Sequence, residues 1–203
     1  MKISKQLAGL LLSFIFIYVM LFFTFKEASI FWYLYTFTLL VGMAIAILNG
    51  NFKDELPTWK YLLFGIGYST ILYGIVRLGY LILTNLNGSI ENNVQSFLET
   101  YGPNNIWHYL LLIFIIVVGE ELFWRGYVQQ QLKKWVSPKI AVIITSILFA
   151  LSFSFSGFFP GILVALLTGL VWGTLYEWKK SMPLIIVSHE VFILLLFMIL
   201  PFY

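Results

Sequence analysis

Apolar runs follow one another along almost the whole chain, and this limits it to one kind of fold. Seven stretches, approximately 8–25, 30–49, 61–84, 106–130, 139–157, 160–178 and 183–202, are long enough, or nearly so, to cross a hydrocarbon core. Such a core takes a helix of roughly 20 apolar residues. The pattern predicts an all-α polytopic transmembrane helical bundle of about seven spans, within a range of six to eight. The fifth and sixth runs are the shortest. Only the Gly157–Gly161 turn separates them, as in a tight helical hairpin. Charged residues make up 10% of the chain, against about 25% in a typical soluble domain. Too little polar sequence remains for a soluble domain, so 1–203 reads as a single membrane domain with the N-terminal spans in 1–100.

The lysines orient the bundle. With the N-terminus in the cytoplasm, Lys2, Lys5, Lys53, Lys60, Lys133, Lys134, Lys139, Lys179 and Lys180 all fall on the cytoplasmic side, and only Lys26 falls outside. This split follows the positive-inside bias. It fits a bacterial cytoplasmic (plasma) membrane, with the lipid bilayer as the first partner. The first run is longer than the roughly 7–15 residues of a signal-peptide core. Lys26 also stands two residues before the best small residue, Ala28, so the run reads as an anchor. The loop 85–105 is the main polar insertion, and 91–101 is expected to form a short interfacial helix there. The basic residues are scattered at span ends rather than gathered in a stripe, so no nucleic-acid surface is expected.

In so apolar a chain the ionisable residues within spans carry the information. Each costs roughly 2.5–3.5 kcal/mol at the centre of a helix on insertion scales. Those placed at depth are Arg77, Glu120, Glu121, Arg125, His189 and Glu190. The densest cluster is Gly119-Glu120-Glu121-Leu122-Phe123-Trp124-Arg125-Gly126. Glu121 and Arg125 stand four apart with the acid first, the favourable order for a pair on one helix. Glu120 points about 100° away from them. It is left without a cation on its own helix, which makes it the candidate general base. His189 lies some 9–13 Å along the last span at about 1.5 Å per residue, a depth from which it can meet Glu120. Arg77 needs an acidic or carbonyl partner, with Glu190 and Glu121 as the acidic candidates. His108, between Trp107 and Tyr109, reads as part of an interfacial aromatic belt. Trp172 and Trp178 read as packing or lipid-facing residues.

Several chemistries fail on composition. The chain has no cysteine, which removes thiolate nucleophiles and thiolate metal ligands. An aspartyl intramembrane protease needs two aspartates, and Asp54, the one present, is in a loop. Ser152, Ser154, Ser156 and Ser188 lack the Gly-x-Ser context of a rhomboid-like serine protease. A zincin needs His-Glu-x-x-His, and the run beginning at His189 has Ile193 in last place. A phosphate-binding glycine loop is absent. No cofactor and no metal are expected.

Glu120-Glu121-x-x-x-Arg125, followed by Gly-Tyr and Gln-x-x-Leu, resembles the CPBP family. This group holds CAAX prenyl endopeptidases, bacteriocin-processing and immunity proteins, and Abi-type bacterial membrane proteins. The resemblance covers about 105–202, the CPBP-like core. It includes Ser146-Ile-Leu-Phe149-Ala150-Leu151-Ser152 and the spaced glycines from Gly161 to Tyr176 that lead to His189. In the family, the first Glu and a second-motif His activate a water. A third-motif His and an Asn one turn later stabilise the oxyanion. Glu120, Glu121, Arg125, Phe149 and His189 match this pattern. The second-motif His position is Phe153, and the Asn position is Ile193. The resemblance therefore implies one of two things. One is a catalytically impaired scaffold or regulator, a pseudoprotease, that binds a membrane-protein or cell-envelope partner. The other is a glutamate-dependent intramembrane endopeptidase acting on a peptide substrate, with Glu120 as base and His189 as polariser. Bacteriocin immunity fits either.

Overall fold

The computed structural model describes residues 2–202, with side chains from Lys5 onward. The Lys2 side chain used in the orientation argument, and residues Met1 and Tyr203, lie outside the described residues. The elements run α1 (Lys2–Lys26), α2 (Phe31–Asn49), α3 (Thr58–Leu86), α4 (Ser89–Tyr101), α5 (Ile106–Leu132), α6 (Pro138–Ser156, ending in a 3₁₀ turn), α7 (Phe159–Lys179) and α8 (Met182–Ile199). All except α4 are long and apolar enough to cross a membrane. Among the described residues there is no strand. In hydrocarbon a helix satisfies its own backbone groups, so this architecture suits these sequences. The protein is an integral membrane protein, and its described residues form an all-α bundle with seven candidate spans.

The helix boundaries follow local chemistry. Pro138, Pro160 and Pro183 stand in the first turns of α6, α7 and α8, where the missing N–H has no intrahelical role. Asn105 and Ser181 cap α5 and α8 by accepting from the backbone N–H of His108 (3.1 Å) and Leu184 (3.4 Å). Gly157, with φ +67°, makes the turn between α6 and α7, a conformation that costs a glycine little. The expected hairpin is therefore present. The interfacial helix expected at 91–101 is α4. Its Ile90, Val94, Phe97 and Tyr101 fall on one face at helical spacing and are turned inward.

The two ends of the bundle differ. At the lysine-rich end the α2–α3 loop is stitched to the α7–α8 corner. Met182 N–H donates to the Lys53 carbonyl (2.7 Å), Glu55 N–H to the Lys180 carbonyl (2.9 Å), and Ser181 Oγ to Asp54 Oδ1 (2.8 Å). Glu177 accepts from Lys133 (2.8 Å) and Lys180 (2.6 Å) beside them. Nearby α3 lies directly on α8. A Cβ added to Gly65 would stand 2.9 Å from Val187 Cγ1. The other end is closed by side chains instead. There α4 lies across the bundle, held by a Phe97–Phe158 ring stack (4.3 Å) and by the Tyr101 hydroxyl donating to the Phe25 carbonyl (2.8 Å).

Candidate functional site

Glu120 and Glu121 occupy an α-helical turn of α5 flanked by two π-helical stretches, Leu112–Val117 and Leu122–Gln129. Wide turns of this kind recur at functional sites, because they re-aim side chains within a continuous helix. Glu121 is fully buried, and its Oε1 accepts from Arg125 Nη1 at 3.0 Å. This is the i,i+4 pair expected from the sequence. The same oxygen lies 2.8 Å from His189 Nδ1 on α8. Between them Arg125 and His189 offer two donors to one carboxylate oxygen, which fixes the imidazole's orientation.

The other face of His189 looks at Glu120. Nε2 is 3.8 Å from Glu120 Oε2, too long for a hydrogen bond. Glu120 Oε1 instead accepts from the hydroxyl of Tyr35, on α2. Trp172 of α7 stacks on the His189 ring, with centroids 3.9 Å apart, and its indole N–H donates to Ser188 Oγ at 3.1 Å. Four helices thus converge on one point: α2 through Tyr35, α5 through the two acids, α7 through Trp172 and α8 through His189. Trp172 is buried, so of the two roles read for it packing holds and lipid-facing does not. Trp178 is exposed.

Glu120, Tyr35 and His189 stand at the floor of a cavity of about 430 Å³, within the size range of ligand sites. The remaining wall is almost wholly apolar and aromatic, including Phe25, Phe97, Phe158, Val164 and Leu196. Phe153 and Ile193 line the same cavity. Phe153 packs edge-on against Phe149 (5.5 Å, 88°), and the Arg125 guanidinium lies 4.6 Å over the Phe149 ring. The second-motif position is therefore part of an aromatic wall. No residue of the 50–57 loop borders the cavity, which occupies the half of the bundle away from the lysine-rich end.

Residues 102–195 match the family model described as type II CAAX prenyl endopeptidase Rce1-like. That segment, a little under half of the chain, is similar to this family, which supports membership of the CPBP group. The match takes in α5, α6, α7 and most of α8, the helices that supply Glu120, Glu121, Arg125, Phe149, Phe153, His189 and Ile193. The first three spans lie outside it. No curated protein and no solved structure matches the chain. The CPBP-type core is thus joined here by a residue from outside the matched segment, Tyr35. Sequence reasoning missed it. In Phe31-Trp32-Tyr33-Leu34-Tyr35 it is one aromatic among several, and no spacing rule separates it from an interfacial belt.

The other intramembrane ionisable groups stand apart from this point. Arg77 Nη1 donates to the carbonyls of Leu200 (2.8 Å) and Pro201 (3.1 Å) and to the Tyr73 hydroxyl (2.8 Å). Its partners are carbonyls, and neither Glu190 nor Glu121 takes that role. His108 stacks on Trp32 (4.4 Å, 12°) near the end of α5, as an aromatic-belt residue would. Among the described residues, no group of three or more His, Asp or Glu is arranged to hold a metal.

Proposed function

We propose that this CAAX-protease-like membrane protein is a non-catalytic receptor. Its intramembrane cavity holds an apolar segment of a membrane or cell-envelope partner. The observation that carries this reading is that Phe153 and Ile193 border the same cavity as Glu120 and His189. A peptidase of this design needs a second group to hold the attacking water and a donor for the oxyanion. Both positions present hydrocarbon instead. The polar groups that remain are engaged with one another: Glu120 with Tyr35, His189 with Glu121, and Glu121 with Arg125. Loss of one oxyanion donor alone costs roughly 10²–10³ in rate. The reading places the protein in a bacterial plasma membrane with its N-terminus in the cytoplasm, on the lysine distribution. A role in bacteriocin immunity fits a receptor of this kind.

One observation favours a second reading, a glutamate-dependent endopeptidase. The Tyr35 hydroxyl touches Glu120 and would serve as the donor that Ile193 cannot supply. Glu120→Gln and Tyr35→Phe, assayed for the host phenotype at matched protein abundance, separate the two. A receptor keeps its phenotype and its copurifying partner in both variants. Loss of phenotype in both, with unaltered folding and retained partner capture, refutes the receptor and supports the endopeptidase.

A further inference from the structure

The intramembrane arginine that the site does not use points to a device that controls access to the cavity. Beyond α8 the chain leaves helical geometry at Leu200 (φ −136°, ψ 59°), and Pro201 prevents the helix from resuming there. The last carbonyls of a helix have no partner within it. Just past the helix end the carbonyls find a donor in Arg77, whose Nη1 donates to those of Leu200 and Pro201. The Tyr73 hydroxyl also donates to the Leu200 carbonyl. Phe202 then stacks on Tyr80 of α3 (4.7 Å, 10°) and lies 5.6 Å beneath the Arg77 guanidinium.

The position of Phe202 gives these contacts a function. Toward the lysine-rich end α3 and α8 touch directly at Gly65 and Val187. Toward the other end the cavity runs between them, bordered by Val76 and Gly79 on one side and Leu196 on the other, and Phe202 borders it too. The outward surface of α3 there carries exposed Leu78, Leu81 and Ile82, so lipid lies on the far side of this gap.

We infer that Leu200–Phe202 is a strap, latched by Arg77, that closes the side of the cavity facing the bilayer and opens it when released. The inference rests on the reading of the cavity as a binding site, and it concerns how an apolar chain reaches that site. The latch grips backbone carbonyls through the Arg77 guanidinium, with the Tyr73 hydroxyl beside it. The strap's residues lie beyond the last turn of α8, so their release leaves the span itself folded, and Arg77 in turn loses partners that a residue at this depth needs.

The natural chain has no cysteine, which makes a clean test available. The full-length protein is placed in vesicles containing a phosphatidylcholine with a diazirine in one acyl chain, and irradiated. Capture is mapped by mass spectrometry on the peptides holding Val164 and Leu196. Arg77→Gln is expected to raise capture at least about tenfold, the shift that loss of even one charge-assisted hydrogen bond corresponds to, and Phe202→Ala, which removes the Tyr80 stack and the cation–π contact, is expected to raise it as well. The Tyr80→Cys/Phe202→Cys variant, closed with a short thiol-bridging reagent, is expected to fall below wild type. The same variant left unbridged serves as its folded control. Equal capture in released, native and bridged forms overturns the strap and leaves the binding site standing. Absence of capture in every form overturns the reading of the cavity instead. The strap is then judged by bridging rate alone. A latched strap bridges about tenfold more slowly once Arg77→Gln is added, and an unchanged rate overturns it.

Discussion

Replacing Arg125 with methionine tests how the buried polar centre is balanced. Arg125 is 1% exposed and Glu121 0%, and only Nη1 of the guanidinium reaches the carboxylate. Among the described residues, Arg125 Nε and Nη2, and Glu121 Oε2, find no hydrogen-bond partner. The pair is thus desolvated on both sides and hydrogen-bonded on one. Truncating one member of such a pair leaves the other charge buried alone, at a cost of about 3–5 kcal/mol. Arg125→Met also forfeits the cation–π contact with Phe149, worth about 0.5–2 kcal/mol. Removing both charges is a different matter, because two incompletely satisfied groups leave the interior together. In Glu121→Gln/Arg125→Met the amide oxygen still accepts from His189 Nδ1, so the link between α5 and α8 survives. The double variant is expected within about 2 kcal/mol of wild type, with a coupling of roughly 2–3 kcal/mol between the sites. Unfolding by sodium dodecyl sulfate in mixed micelles measures this. Tryptophan fluorescence is a suitable probe, since Trp124 and Trp172 are buried beside the pair, with circular dichroism as an independent readout. An Arg125→Met variant within 1 kcal/mol of wild type would refute the reasoning. So would a double variant whose loss equals the sum of the single losses.

Two further substitutions follow from the packing. Gly65→Leu places a side chain where Val187 and the Leu184 carbonyl already stand. It is expected to cost about 1–3 kcal/mol by overpacking, read in the same unfolding titration, whereas the same change at lipid-facing Gly74, where nothing lies within 4 Å, should be close to neutral. Phe153→His with Ile193→Asn restores the family's polar groups in an apolar wall. Both positions are half-buried, and a polar group without a partner costs up to about 1–3 kcal/mol when fully buried, so the double variant should melt somewhat earlier and capture less partner than wild type. An increase in stability would show that the wall is more polar than its neighbours indicate.

How much of this was legible in the sequence divides along a physical line. Span number, the α6–α7 hairpin, α4 and the Glu121–Arg125 pair all rest on local rules of length, turn residues and i,i+4 spacing. Those rules need no knowledge of how helices pack. The meeting of His189 with Glu120 was reachable from depth along two spans. Its second contact, with Glu121, was not, because it depends on the rotation of α8 about its own axis. Tyr35, Trp172 and the carbonyl partners of Arg77 lie beyond local rules. Each is fixed by which helix faces which, and an apolar helix in lipid carries little amphipathic signal to say so.

That same division bears on what the site has become. The motif residues that remain, Glu120, Glu121, Arg125 and His189, form a chain of contacts that ties α5 to α8. Tyr35 extends the chain to α2, outside the family core. A catalytic carboxylate needs room for a water and for a scissile bond within about 3 Å. A structural one needs partners that consume its lone pairs. Glu120 has a phenol on one oxygen and, across 3.8 Å, an imidazole already committed to Glu121. The rest of its surroundings is hydrocarbon, including the two positions at which the family places His and Asn. On the proposed receptor reading, the buried polar centre fixes the floor of an apolar cavity instead of activating water. The two acids then register α5 against α2 and α8, and Trp172 brings in α7 through His189.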